Sequence, residues 1–158
     1  MKLQYLGTAA AEGIPAAFCT CPVCKHARQE KGREIRSRSQ MLLDGELLID
    51  FPPDTFYHAA LHALELGAIH TLLITHDHLD HWFPTELINR HSAYQSGAEG
   101  ILHVYGNEAV HRSFESHLKT DLYRYQPIDA FVQFHCVHGG DRFHCGKWEI
   151  TAVPAYHD

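Results

Sequence analysis

The chain has 158 residues, 45% of them hydrophobic and 20% charged, with a formal net charge of −6. That length suits one domain with a real core, and the composition excludes a disordered chain. The acidic balance argues against a basic nucleic-acid or membrane binder, and no run approaches the roughly 18 apolar residues of a membrane span.

In chain order, Lys2–Leu6 reads as a strand ending at Gly7-Thr8, and residues 9–20 as a loop containing Gly13 and Pro15. Within 25–38 stand Lys25, Arg28, Lys31, Arg33, Arg36 and Arg38. The start of that segment predicts a short helix stopped by Gly32. Its end is expected to be a solvated arm, although arginine also suits an anionic substrate. Two apolar runs, 41–43 and 47–49, flank Asp44-Gly45 and predict a β-hairpin. Pro52-Pro53-Asp54 opens a helix expected to reach about Leu66, with Gly67 as its stop. Thr71–Thr75 reads as a buried strand, followed by a polar loop. A second helix is expected over roughly 85–95 after Pro84, then a strand over 101–105. Asn107 suits the N-cap of a helix over 108–118. Strands are expected over 131–137 and 147–153, separated by the Gly139-Gly140-Asp141 turn. Strands alternating with helices place the chain in the α/β class.

Histidine is abundant, at 15 residues against 13 for lysine and arginine together. Three histidines fall in Thr75-His76-Asp77-His78-Leu79-Asp80-His81, directly behind the expected buried strand. The strand fixes where the loop begins, and the loop turns alternate side chains toward one point. His76 and His78 suit one divalent ion, and Asp80 with His81 a second. Two ions about 3.5–4 Å apart would clamp a water and a phosphoryl or acyl oxygen. Cys19, Cys21 and Cys24 lie too close together to brace distant parts of the fold as disulfides, so a reducing cytoplasm is expected. Three thiolates supply three corners of a tetrahedral zinc site.

The run His76-x-His78-x-Asp80-His81 resembles the signature of the metallo-β-lactamase superfamily. The resemblance implies an αββα sandwich, of which these residues form the first half and part of the second. It also implies a dinuclear zinc or manganese centre. Leu47-Leu48-Ile49-Asp50 resembles the strand whose terminal aspartate braces the metal loop. Val153-Pro154-Ala155-Tyr156-His157 resembles the strand that delivers a third histidine to the first ion. The three cysteines resemble those of the branch containing the phosphoribosyl cyclic phosphate phosphodiesterase, where they hold a structural zinc with a distant histidine.

That implies a phosphodiesterase acting on a small cyclic phosphodiester through a metal-bound hydroxide, with Asp80 orienting the water. A lactonase, thioesterase or RNA-processing nuclease on the same fold is the alternative, as is a non-catalytic zinc-binding fragment. The expected partner is a small phosphorylated substrate rather than nucleic acid or a membrane. The family's bridging aspartate and last histidine would follow His157. The expectation is therefore a single hydrolase domain, 1–158, incomplete at its C-terminus and weakly active alone. Its open sheet edge would favour homo-oligomers or strand exchange. His58 and His62 stand at i, i+4, where solvated or partly packed side chains are the expected reading. His135, Cys136, His138, His144 and Cys145 crowd an expected hairpin without forming a site.

Overall fold

A computed structural model describes residues 1–91, 94, 96–98, 100–118 and 128–155. Six strands form one sheet: β1 (Leu3–Gly7), β2 (Gln40–Leu43), β3 (Leu47–Ile49), β4 (Thr71–Leu73), β5 (Leu102–Gly106) and β6 (Val132–Cys136), side by side in that order. β1, β2 and β3 pair antiparallel, the last two as the predicted hairpin around Asp44-Gly45. β3 to β6 run parallel. Parallel strands need crossover connections, which helices supply here. α2 (Thr55–His62) joins β3 to β4, and α3 (Glu108–Leu118) lies between β5 and β6. α1 (Pro22–Glu30) lies in the β1–β2 connection.

Register explains the core. Leu42, Leu48, Leu72, Val104 and Phe134 stand opposite one another across five strands. Side chains alternate between faces along each strand, so this row forms one apolar stripe. Trp82, Leu87, Ile88, Val110 and Phe114 pack in the same core. The opposite row is Met41, Ile49, Leu73, Tyr105 and His135. Against this second face lies a hairpin, β7 (Arg142–Cys145) with β8 (Trp148–Thr151). Phe143 stacks on Tyr105 at 5.0 Å, and Lys147 Nζ donates to Glu46 Oε1 at 2.8 Å. The hairpin thus spans the sheet from β5 to the β2–β3 turn.

Several sequence expectations change. α2 ends at His62 rather than near Leu66, because Ala63 takes a left-handed φ of 51° and Leu64 N–H bonds to Ala59 O. Leu66–Ala68 is a separate 3₁₀ turn. The segment after Pro84 is a 3₁₀ helix, Pro84–Arg90, closed by an i→i+3 bond from His91 N–H to Ile88 O. Residues 92, 93 and 95 of the expected helix lie outside the described residues. β7 is an additional strand that pairs with β8 and not with β6. His135 and Cys136 therefore belong to one sheet, and His144 and Cys145 to the other. The Asn107 cap is as expected, its side-chain oxygen accepting from the N–H groups of Ala109 and Val110. Among the described residues, no helix is long and apolar enough to cross a membrane.

Candidate functional site

The loop after β4 is organised by Asp50, which follows β3 and is 1% exposed. Its N–H bonds to Leu73 O at 2.8 Å, tying it to the end of β4. Oδ1 accepts from Thr75 N–H at 2.9 Å and from the Thr75 hydroxyl at 2.8 Å. Oδ2 lies 2.7 Å from His81 Nδ1. A carboxylate only accepts, so His81 carries a proton on Nδ1, and in the neutral ring the lone pair is on Nε2. That Nε2 stands 3.4 Å from Asp80 Oδ2. Two ligands held about 2.1 Å from one tetrahedral zinc ion are separated by roughly that distance.

The same logic fixes His76. The Thr75 hydroxyl donates to Asp50, so it accepts from His76 Nδ1–H across 3.1 Å. The lone pair of His76 therefore sits on Nε2, an atom buried in the loop. The His76 ring lies 4.8 Å from that of His78 and 4.1 Å from that of His81, centroid to centroid. A buried carboxylate that sets both tautomers is the arrangement that orients ligands around a metal. Imidazole nitrogens and a carboxylate suit zinc or a similar divalent ion. His157, the third histidine implied by resemblance, lies outside the described residues.

Two features of this loop escape a reading of ligand types alone. Thr75 supplies the hydroxyl that links Asp50 to His76. Trp82, next to His81, is 0% exposed and packs edge-on to Phe51. The backbone closes around it: Trp82 N–H bonds to His78 O, Phe51 N–H to His81 O, and Phe83 N–H to Phe51 O, at 2.7–2.8 Å. An indole directly after His81 in the sequence was the available signal for this anchor.

Cys19, Cys21 and Cys24 bring their sulfur atoms within 4.8 Å of one another. Among the described residues they are the one set of three potential donors gathered so closely. Cys21 is the N-cap of α1, and its Sγ accepts from Cys24 N–H at 3.5 Å. That bond is the largest of several that lower the Cys21 thiol to about 7. Arg28, in the last turn of α1, ties down the preceding loop by donating to Cys19 O and Ala16 O, both at 2.7 Å. Three soft sulfur donors in this geometry fit zinc. Cys136 and Cys145 are free thiols; burial pushes Cys145 up.

The basic segment is not a solvated arm throughout. Arg36 pairs with Ile14, and Thr8 and Ala9 N–H both bond to Ser37 O. Arg38 meets Asp54 at 3.1 Å and donates through Nε to Ala11 O. Backbone pairing with residues 8–14 holds it as a strap. His58 is likewise neither solvated nor partly packed: it is 0% exposed, with both ring nitrogens hydrogen-bonded to side chains.

This sheet order and loop define a metallo-β-lactamase fold. Solved structures agree on that class. A diphosphatase of the PhnP family matches with a TM-score of 0.67 and 25% identity, over 90% of this chain and 52% of that one. Zinc-bound PqqB of Methylobacterium extorquens matches at 0.68 and 22%, over 89% and 47%. The short form of human tRNase Z matches at 0.58 and 22%, over 86% and 44%.

Within that class, the family profile of the anti-Pycsar protein Apyc1 matches residues 38–158, and the chain belongs to this family. The cysteine triad precedes the matched region. Curated relatives include coenzyme PQQ synthesis protein B of Methylobacterium radiotolerans, 35% identical over 94 residues, covering 51% of this chain and 31% of that protein. An octanoyltransferase of Porphyromonas gingivalis is 34% identical over 85 residues, covering 51% and 16%. The chain thus spans a minor part of these relatives and about half of each solved neighbour.

Proposed function

We propose that the chain carries the metal-binding portion of a metal-dependent hydrolase, a phosphodiesterase acting on a small cyclic phosphodiester. The observation that carries this reading is the Asp50-centred loop, which orients His76 and His81 and sets His81 Nε2 beside Asp80 Oδ2. Bound divalent ions would supply Lewis acidity and lower the pKa of the attacking water. The chain's own residues do the rest. His76 and His78 would hold one ion, with His157, by the resemblance, as a third ligand. His81 and Asp80 would hold the other, and Asp80 would orient the attacking water. Asp50 keeps the histidines in the ligating tautomer. Cys19, Cys21 and Cys24 hold a structural zinc that fastens the β1–α1 loop.

The phosphodiester preference rests on the likeness to a PhnP-family diphosphatase together with membership of the Apyc1 family. Fold alone does not select a substrate. The test is elemental analysis of the purified chain, paired with hydrolysis of bis(p-nitrophenyl) phosphate. More than one ion per chain with at most weak turnover, both lost in His76→Ala and in Asp80→Asn, is expected. A second reading, zinc binding without catalysis, is favoured by the close grouping of the three thiols. It predicts about one zinc per chain, removed by Cys24→Ser and indifferent to His76→Ala.

A further inference from the structure

Four polar residues are buried almost completely among the described residues: Gln40, Asp50, Thr55 and His58, all at 2% exposure or less. They form one hydrogen-bonded chain that leads to the metal loop. Gln40 Nε2 donates to Asp50 O at 2.9 Å and to Thr55 Oγ1 at 3.0 Å. Both protons of that amide are thereby committed, and its Oε1 faces His58 Nδ1 at 2.6 Å. An amide oxygen only accepts, so His58 is protonated on Nδ1. Its Nε2 then accepts from the Ser37 hydroxyl at 2.7 Å. A Cβ on Gly7 would lie 2.9 Å from His58 Nε2, so β1 passes close against this ring.

The far end of the chain is strained. Asp50 has φ of 64°, the left-handed region that a residue with a Cβ occupies only when its surroundings hold it there. The contacts that hold it are Leu73 O on its N–H, Gln40 on its carbonyl, and Thr75 and His81 on its carboxylate. Of these, the Gln40 contact alone depends on how an amide is held. The Asp50 carbonyl and Thr55 Oγ1, whose own proton goes to Pro52 O, take its nitrogen end, and His58 Nδ1–H holds its oxygen end. A side chain without an N–H at position 58 would leave that buried oxygen without a donor and draw Gln40 away from the Asp50 carbonyl.

We propose that His58 is a positioning residue for the metal loop: through Gln40 it fixes the Asp50 backbone, and through Asp50 it aims Thr75 and His81. The inference rests on the reading of that loop as a metal site. A merely structural histidine would affect the core as a whole, whereas a positioning one acts at the loop.

Amide hydrogen exchange on the metal-free full chain separates the two roles. In His58→Leu, exchange of Thr75 N–H is expected to rise by at least about tenfold while the amides of β5 keep their wild-type rates. His58→Gln, which retains an N–H for Gln40, is expected to restore protection. Gln40→Glu keeps the shape but faces an oxygen toward the Asp50 carbonyl, so it should mimic His58→Leu and serves if that variant does not fold. Cobalt titration gives a second readout. Affinity at the histidine loop is expected to fall about tenfold or more, with the thiolate charge-transfer band of the cysteine triad unchanged. Wild-type exchange at Thr75 in both His58→Leu and Gln40→Glu would overturn the proposal, as would a rise there matched by β5. If the wild type binds cobalt yet hydrolyses nothing, the phosphodiesterase reading fails while the exchange result still judges this one.

Discussion

Asp50 makes the loop sensitive to a change of one atom. In Asp50→Asn the side-chain oxygen still accepts from Thr75, and asparagine tolerates the left-handed backbone. The amide nitrogen, however, must donate to His81 Nδ1. The proton of His81 then moves to Nε2, the atom beside Asp80. Metal affinity at that position is expected to drop about 10–100-fold, measured by calorimetry. The lost charge-assisted bonds should cost about 1–3 kcal/mol in urea unfolding. An unchanged affinity would mean that His81 does not ligate through Nε2. His58 makes a different prediction. Burial is the largest effect on it and pushes its pKa below the ordinary value; His62 adds to that, and Asp54 opposes it. The folded chain therefore holds His58 neutral while the unfolded chain takes up a proton near pH 6.5. Its stabilising contribution is whole above that pH and is lost as pH falls below it. His135, lowered by burial and by His103, acts in the same direction. The melting temperature should decline from pH 7 to pH 5, and less steeply in His58→Gln; an identical slope in that variant would assign the loss elsewhere.

At the scale of elements, the histidine loop connects β4 to the 3₁₀ helix Pro84–Arg90 and is anchored by Trp82. The indole contacts both Phe51 and Phe114 of α3, with ring centroids 6.5 and 6.2 Å away. Its Nε1 is buried with no hydrogen-bond partner among the described residues. Trp82→Ala should cost about 3–5 kcal/mol. Trp82→Phe should cost distinctly less, because losing an unsatisfied N–H offsets part of the lost packing. Equal costs in chemical denaturation would show that the N–H finds a partner in solution. The elements themselves were largely legible. The hairpin around Asp44-Gly45 and the Asn107-capped helix are local signals, read within a few residues. The end of α2 was not legible, because Gly67 is the residue type for a stop while Ala63 is the one that adopts the left-handed turn. β7 was hidden because its partner is β8 across a short turn rather than β6.

For the whole molecule, the exposed apolar surface matters most. Tyr5 on the edge strand β1 is 63% exposed, and Phe56 and Leu61 on α2 are 74% and 58% exposed. α2 turns its buried face, Thr55 and His58, toward a polar network and presents these apolar groups outward. Edge strands and contiguous apolar patches favour association. Self-association at micromolar concentration is therefore expected in size-exclusion chromatography with light scattering. A single monomer mass across a hundredfold dilution series would refute it.

What the sequence determined by itself is what depends on near neighbours. The spacing of His76, His78, Asp80 and His81 marked the histidine loop after β4, and that of Cys19, Cys21 and Cys24 announced the thiol cluster. Apolar alternation and turn residues announced the strands other than β7. The tertiary structure decided everything that joins distant positions. Asp50 meets Thr75 and His81 from 25 and 31 residues away, and His58 meets Gln40 across 18. The parallel pairing of β3 with β4 sets Asp50 beside the loop, and the packing of α2 against β1 buries His58. Periodicity says which face of an element is apolar. It does not say which polar side chain is carried inside, because that depends on the partner waiting there.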